Sequence, residues 1–387
     1  MRCVVFAGGA LVNKSDPRVI QFCHSYDAPF LDCARQYAAL FRDTPYKVTT
    51  VYLTGKSSDE VIHGSASDEV IFLDFTSKQV HGLKLAAIKR FRQIVAKRDV
   101  RFCIAHRAKP TYVALLATRL PVISIHHAFD DYKRRSRRLF ANLFRNRLFL
   151  IGVSNAVRDD MRKRLPGWPA ERIETLYNRV DIAAAQQGLL SRSEARAQLG
   201  LPDDAWIVGN VGRLHPDKDQ ATLLRGFARA LPLLPQGSLL AIMGTGPLEQ
   251  PLKEQACDLG LEQSVRFLGK VPEARRYFRA FDIFALTSNH EPFGMVLLEA
   301  MAAGVPLICS NCGGGREVAE GVGQLFPLGN ADVLAKVLIA ASRNGADFDG
   351  LKIRMLERIK RDFTDDAARR RFWSFPLQRM IEAEQPE

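Results

Sequence analysis

Short apolar runs alternate with helix-length amphipathic segments along most of this 387-residue chain, and nothing else in it restricts the fold as strongly. Strand-like runs fall at residues 19–23, 47–53, 70–73, 101–105, 122–125 and 149–153, with helical periodicity at 31–42, 82–97, 111–119, 133–146 and 155–164 between them. A strand that reaches its neighbour through a helix runs parallel to it, and a parallel sheet must be covered on both faces. The rhythm pauses at a short strand, 172–177, and resumes with strands at 206–211, 238–243, 265–268, 283–286 and 306–309. Helices at 219–234, 248–259, 274–280 and 332–343 separate or follow them, and 351–381 is helical and basic. Two doubly wound domains are therefore expected, each large enough to bury its own core. Residues 18–24 make a better first core strand than 2–7, because they lead into a helix through a short loop. Residues 1–16 then form an extension.

One strand-to-helix junction carries most of the chemistry. Glu291-Pro292-Phe293-Gly294-Met295-Val296 leads into a helix that also carries Glu299, placing two carboxylates eight residues apart. Backbone N–H groups at Gly294, Met295 and Val296 would point out of the helix start, where a phosphate binds readily. A carboxylate repels phosphate, so Glu291 and Glu299 are suited to accept from sugar or ribose hydroxyls on either side of it. A second loop, Gly212-Arg213-Leu214-His215-Pro216-Asp217-Lys218, places two cations where a strand ends, the edge at which open α/β sheets bind ligands. Arg213 offers a fork of donors and Lys218 a compact charge, a pair suited to a diphosphate.

These stretches resemble the E-x7-E motif and the G-R-L-x-x-x-K diphosphate site of retaining glycosyltransferases of family four. Met243-Gly244-Thr245-Gly246-Pro247, Val265–Gly269 with Lys270-Val271, and Gly313-Gly314-Gly315-Arg316-Glu317 resemble that family's G-x-G-P turn, nucleobase segment and G-G-x-x-E. Asn178-Arg179-Val180-Asp181 resembles its N-G-V-D with arginine in place of glycine, and Tyr26-Asp27-Ala28-Pro29 stands where a glycine pair is usual. The resemblance implies a GT-B fold, two Rossmann-like domains facing a cleft. The boundaries it suggests are 1–175 for an acceptor-binding domain, 176–363 for a donor-binding domain, and 364–387 for a helix crossing back to the first. It also implies catalytic roles for Glu291 and His126, with His127 as rival to His126. Arg213, Lys218, Gly294, Met295, Val296 and Glu299 would bind the donor. His106, Asp130 and Asp131 lie near the same strand ends.

Other signals carry less. Gly8 to Ser15 approaches a phosphate-binding P-loop, but Asn13 replaces the last glycine and Pro17 interrupts the helix that should follow. Cys309-Ser310-Asn311-Cys312 lacks the second pair that a zinc ribbon needs. Asp347-Phe348-Asp349 lies between helices, so no essential metal and no cofactor are expected, the nucleotide sugar (UDP-linked) being a substrate.

The net charge of +13 calls for an anionic partner. Lys133, Arg134, Arg135, Arg137, Arg138, Arg145 and Arg147 interleave with Leu139, Phe140, Leu143 and Phe144 at helical spacing, a pattern suited either to a membrane interface or to packing on the chain's own sheet. No recognised nucleic-acid module is present. Seven cysteines and a poor secretory signal suit a cytoplasmic protein, peripheral at the inner membrane. The reading is a retaining hexosyltransferase using a nucleotide sugar and an anionic, lipid-linked or lipopolysaccharide-core acceptor. A GT-B UDP-N-acetylhexosamine epimerase and a non-catalytic sugar-nucleotide-binding partner are the alternatives.

Overall fold

The structure, a computed structural model, describes residues 4–6, 16–27, 30–343 and 348–376. The chain divides into two compact units, Met1–Tyr177 with Asp365–Glu387, and Asn178–Thr364.

The first unit is built on strands β1 (Val4–Phe6), β2 (Arg18–Cys23), β3 (Lys47–Thr54), β4 (Glu69–Phe75), β5 (Val100–His106), β6 (Val122–His126), β7 (Leu148–Gly152) and β8 (Ile173–Thr175). Their order is β1-β4-β3-β2-β5-β6-β7-β8. All neighbours run parallel except β1, which pairs antiparallel with β4 along the outer edge, Val4 opposite Ile71. The strand at 18–24 is thus central and the one near the amino terminus is peripheral. The near P-loop, Gly8 to Ser15, lies outside the described residues.

The central strand is buried throughout, including Arg18. Its guanidinium reaches Glu69 at 3.3 Å and Thr49 at 2.9 Å, tying β2, β3 and β4 together. Arg98 clamps the same carboxylate with bonds of 2.5 and 2.8 Å. Burial alone would raise the Glu69 pKa; the hydrogen bonds and charge of Arg98, with Thr49 and Arg18, hold it below the ordinary carboxylate range. A one-residue slip of any strand would strand these charges in the core, so the network fixes register. The helix Asp365–Trp373 belongs to this unit: Trp373 Nε1 donates to the Leu40 carbonyl at 3.0 Å, and Arg371 meets Glu174 at 2.7 Å.

The second unit holds β9 (Ile207–Val211), β10 (Leu239–Met243), β11 (Val265–Gly269), β12 (Ile283–Leu286), β13 (Leu307–Ser310) and β14 (Gln324–Phe326), all parallel, in the order β11-β10-β9-β12-β13-β14. This is the doubly wound Rossmann order. Val208, Leu240 and Ile242 of the sheet pack with Leu223, Phe227, Leu334 and Leu338 of two covering helices.

Several elements differ from expectation. Residues 274–280 form a 3-10 helix, and the basic helix is limited to Arg135–Leu143. The helices Asp59–Gly64, Ile182–Gln187, Arg192–Leu199 and Gly313–Ala319 and the strand β14 carry too little periodicity to have been read. The region 351–381 is two helices, Phe348–Asp362 and Asp365–Trp373, and from 377 onward lies outside the described residues.

Candidate functional site

Strand order reverses between β9 and β12 in the second unit, and ligands of such sheets bind at the carboxyl ends of the strands flanking that point. The loop after β9 carries Arg213 and Lys218; the loop after β12 carries Glu291. Lys218 Nζ donates to Glu291 Oε2 at 2.6 Å, although the two residues are 73 apart in sequence. Ser288 Oγ donates to the same oxygen at 3.0 Å. Glu291 is 7% exposed, so its charge is held by partners rather than by water.

The backbones of both loops are fixed. Thr287 Oγ1 donates to the carbonyls of Lys218 and Asp219, and the Asn289 amide donates to the Asp217 carbonyl at 3.0 Å. Behind the first loop sits the turn after β10: Gly212 donates to Met243 at 2.9 Å and Leu214 to Thr245 at 3.0 Å. A β-carbon at Gly244 would collide with the Gly212 carbonyl oxygen, which is why that turn needs glycine. The second loop is backed by the helix Gly313–Ala319, whose Gly314 N–H donates to the Glu291 carbonyl at 2.8 Å. A β-carbon at Gly314 would strike the Pro292 carbonyl oxygen. The glycine run that suggests a turn in the sequence is a helix start pressed against the Glu291 loop.

Gly294 caps the helix Met295–Ala302 with φ of 95°, a conformation open to glycine at little cost. No side chain caps that end, so the first amides are available to an anion. Met295 and Val296 are half-buried there, and Glu299 lies one turn further along, also half-buried. Arg213 is exposed, and its carbonyl accepts from Gln220 Nε2 at 3.0 Å. Arg213, Lys218, Glu291, Gly294, Met295 and Val296 are thus carried by the two loops that flank one reversal point.

In the first unit the order reverses between β2 and β5. His126 ends β6, but it is 2% exposed and engaged on both ring nitrogens. Nδ1 lies 2.7 Å from Asp131 Oδ2; Nε2 lies 3.1 Å from Ser124 Oγ and 3.2 Å from the Tyr132 hydroxyl. Burial would raise the Asp131 carboxyl, yet the His126 hydrogen bond and the charges of His126 and Arg137 lower it. The ring is therefore held by three side chains at the end of β6. The next residue on an extended backbone points to the opposite side. His127 is half-buried and stacks on His106, with centroids 5.8 Å apart. Burial, then the charges of Arg107 and His126, pushes its pKa down to about 4, so the ring is neutral near pH 7. His106 is itself anchored, with Nε2 3.2 Å from Gln21 Oε1.

One residue near this point carries no sequence signal. Arg107, directly after β5, has φ of 75° and ψ of 165°, a region almost reserved for glycine, and its guanidinium lies 4.3 Å from the Phe30 ring centre. Asp130 pairs with Arg164 rather than with any histidine. Cys309 and Cys312 are free thiols that donate to backbone carbonyls, and burial raises both pKa values. Asp347 lies outside the described residues, and Asp349 pairs with Lys352 on its own helix at 3.6 Å.

Two Rossmann-like units with loops of this kind define the GT-B class. Residues 191–358 match the family model for glycosyl transferases group 1, and 34–184 match that for glycosyltransferase family 4. Together these matches take in most of the chain, whose fold is that of the GT-B glycosyltransferases. The D-inositol 3-phosphate glycosyltransferase of Saccharomonospora viridis is 34% identical over 204 residues, 48% of this chain and 47% of that protein. The lipopolysaccharide core biosynthesis glycosyltransferase LpsE of Rhizobium meliloti is 34% identical over 145 residues, 37% of this chain and 41% of that one. The chain spans about half the length, or less, of these curated relatives. HepE from Anabaena, solved with UDP and glucose, shares the fold with a TM-score of 0.74 and 22% identity over 93% of this chain and 99% of its own.

Proposed function

We propose that this chain is a retaining glycosyltransferase that moves a hexose-type sugar from a UDP-linked donor to a membrane-associated glycan, with the lipopolysaccharide core as the first acceptor to test. The observation that carries the reading is the Lys218–Glu291 pair at the second unit's reversal point, its Glu291 on the loop that ends at the glycine-capped helix Met295–Ala302. The partial likeness to LpsE supports the acceptor, and the UDP complex of HepE supports the donor.

In this reading Arg213, Lys218 and the amides after Gly294 hold the diphosphate and stabilise charge as it leaves. They supply that charge from the chain itself, so no metal or other cofactor is required. Glu291 orients hydroxyls of the sugar and Glu299 those of the ribose. Neither carboxylate acts as nucleophile. The acceptor hydroxyl enters on the face the phosphate leaves, and the anomeric configuration is kept. The histidine presented to the sugar is His127, while His126 positions the segment through Asp131. The acceptor is held by the first unit, on the cytoplasmic face of the membrane.

Calorimetric titration with UDP-, GDP- and ADP-hexoses tests the donor. UDP-sugar should bind, and Lys218→Ala should weaken it on the order of tenfold or more. Product analysis with cell-envelope extracts tests the acceptor, with the anomeric proton read by NMR. Absence of nucleotide-sugar binding, or turnover of donor without any acceptor, would overturn the proposal.

A further inference from the structure

A cavity of about 460 Å³ opens in the first unit, lined by residues of the helices Ala108–Ala117 and Arg135–Leu143 and by Lys84. Its lining includes the cations Lys84, Lys109 and Arg137, the rings of Tyr112 and Phe140, and the His126–Asp131 pair described above. Lys84 Nζ lies 4.8 Å from the Tyr112 ring centre, Tyr112 lies 4.9 Å from Phe140, and Phe140 lies 4.8 Å from Phe144. This aromatic line joins the Leu83-Lys84-Leu85 turn to the basic helix.

The chain neighbours of the lining residues are unusual for a protein surface. Leu83 and Leu85 are 67% and 69% exposed, and Leu139 and Leu143 are 70% and 76% exposed. These four open leucines lie on the two segments that the row through Tyr112 connects, and exposed apolar side chains grouped around a cavity mark an interaction site. The charge around it is one-sided. Asp131 is the acid lining the cavity, and it is already held by His126 and Arg137. Among the described residues no carboxylate pairs with Lys84, Lys109, Arg134 or Arg135. Burial and the nearby Lys109 lower the Lys84 pKa, as for cations packed without a counter-ion. A protein partner of opposite charge would leave the leucines against polar groups. A bilayer with anionic lipids satisfies both features at once.

We infer that this cavity seats the phosphate-bearing head group of an anionic membrane lipid, with Leu83, Leu85, Leu139 and Leu143 entering the bilayer interface. The inference takes the membrane-borne acceptor of the proposed function as its setting and assigns the face that meets the membrane. No catalysis is needed to test it.

The full chain is floated with vesicles of phosphatidylcholine alone and of phosphatidylcholine mixed with phosphatidylglycerol. Binding to the mixed vesicles only is expected. Lys84→Gln and Lys109→Gln should each lower the partition about fivefold, near the worth of one cation at an anionic surface. Leu139→Ser with Leu143→Ser should lower it at least as much. All four residues are exposed or at a cavity rim, and unchanged thermal melting checks that the variants fold. Lys253→Gln, which removes one charge from the second unit, should leave partition unchanged. Equal loss with Lys253→Gln would show that only net charge acts, and would overturn the inference. Calorimetry with short-chain phosphatidylglycerol and with glycerol 3-phosphate separates the sources of phosphate: the lipid should bind, and tight binding of the free ester would overturn the lipid assignment. A UDP-sugar titration that succeeds while flotation fails would leave the proposed function standing and remove this inference alone.

Discussion

Both sheets reverse strand order beside their first core strand, and the two reversal points are furnished in opposite ways. In the second unit the point is marked by opposite charges in contact, Lys218 and Glu291, on loops pinned by backbone hydrogen bonds and glycine contacts. In the first it is furnished with imidazoles, Gln21 and a strained Arg107, and the Asp131–Arg137 pair stands one strand further on, beside His126. A diphosphate has one shape and one sign, so a site for it can be built rigidly from main chain and a few fixed side chains. In the proposed function the first unit takes the acceptor, and a site for a variable acceptor has no such template.

The comparison can be broken most directly by Glu291→Ala. Loss of turnover by about a hundredfold or more is expected in steady-state assays, because the proposed function sets this carboxylate at the reacting sugar. Turnover that survives would move the reacting end away from the second unit. Next in size is Glu69→Gln, a change in the first unit's scaffold that leaves Arg18 and Arg98 facing a neutral amide. Denaturant unfolding at neutral pH should show a loss of about 3–5 kcal/mol. Because the folded carboxyl pKa is depressed, its stabilisation is present above the ordinary carboxylate value and is lost as pH falls through the lowered one. The gap between wild type and variant should therefore close in acid.

Gly314→Ala sharpens the contrast from the other side. The added methyl meets the Pro292 carbonyl, should cost about 1–3 kcal/mol, and should weaken UDP-sugar binding with it, since the Glu291 loop must shift. The effect that is smallest at neutral pH concerns His127. Its imidazole signals should not titrate until pH nears about 4, as NMR can follow. The unfolded ring takes up its proton first as pH drops below the free value, so stability should decline by about 1 kcal/mol per pH unit across that interval, and His127→Gln should abolish that decline.

How legible each unit was follows from the same contrast. The strands were readable in both, because a parallel strand covered on two faces is a short unbroken apolar run. Glu291, Lys218 and Gly294 were readable because each sits in a contiguous stretch whose spacing places it on a loop or a helix start. The helix Gly313–Ala319 was not, since glycine disfavours helix and only the contact with Pro292 explains it. His126 and His127 could not be ordered from sequence, because adjacent residues of an extended segment face opposite ways and sheet topology decides which way is in. Arg107 left no trace, its distinction being a backbone angle.

The short antiparallel strand β1 has a consequence for how the chain survives in solution. Without it, β4 would present a row of unpaired amides and carbonyls along an exposed sheet margin, an invitation to another molecule's strand. Three residues running against the grain of the sheet close that margin with main-chain bonds. Their removal should therefore be felt first as self-association at high protein concentration, before any change in sugar chemistry.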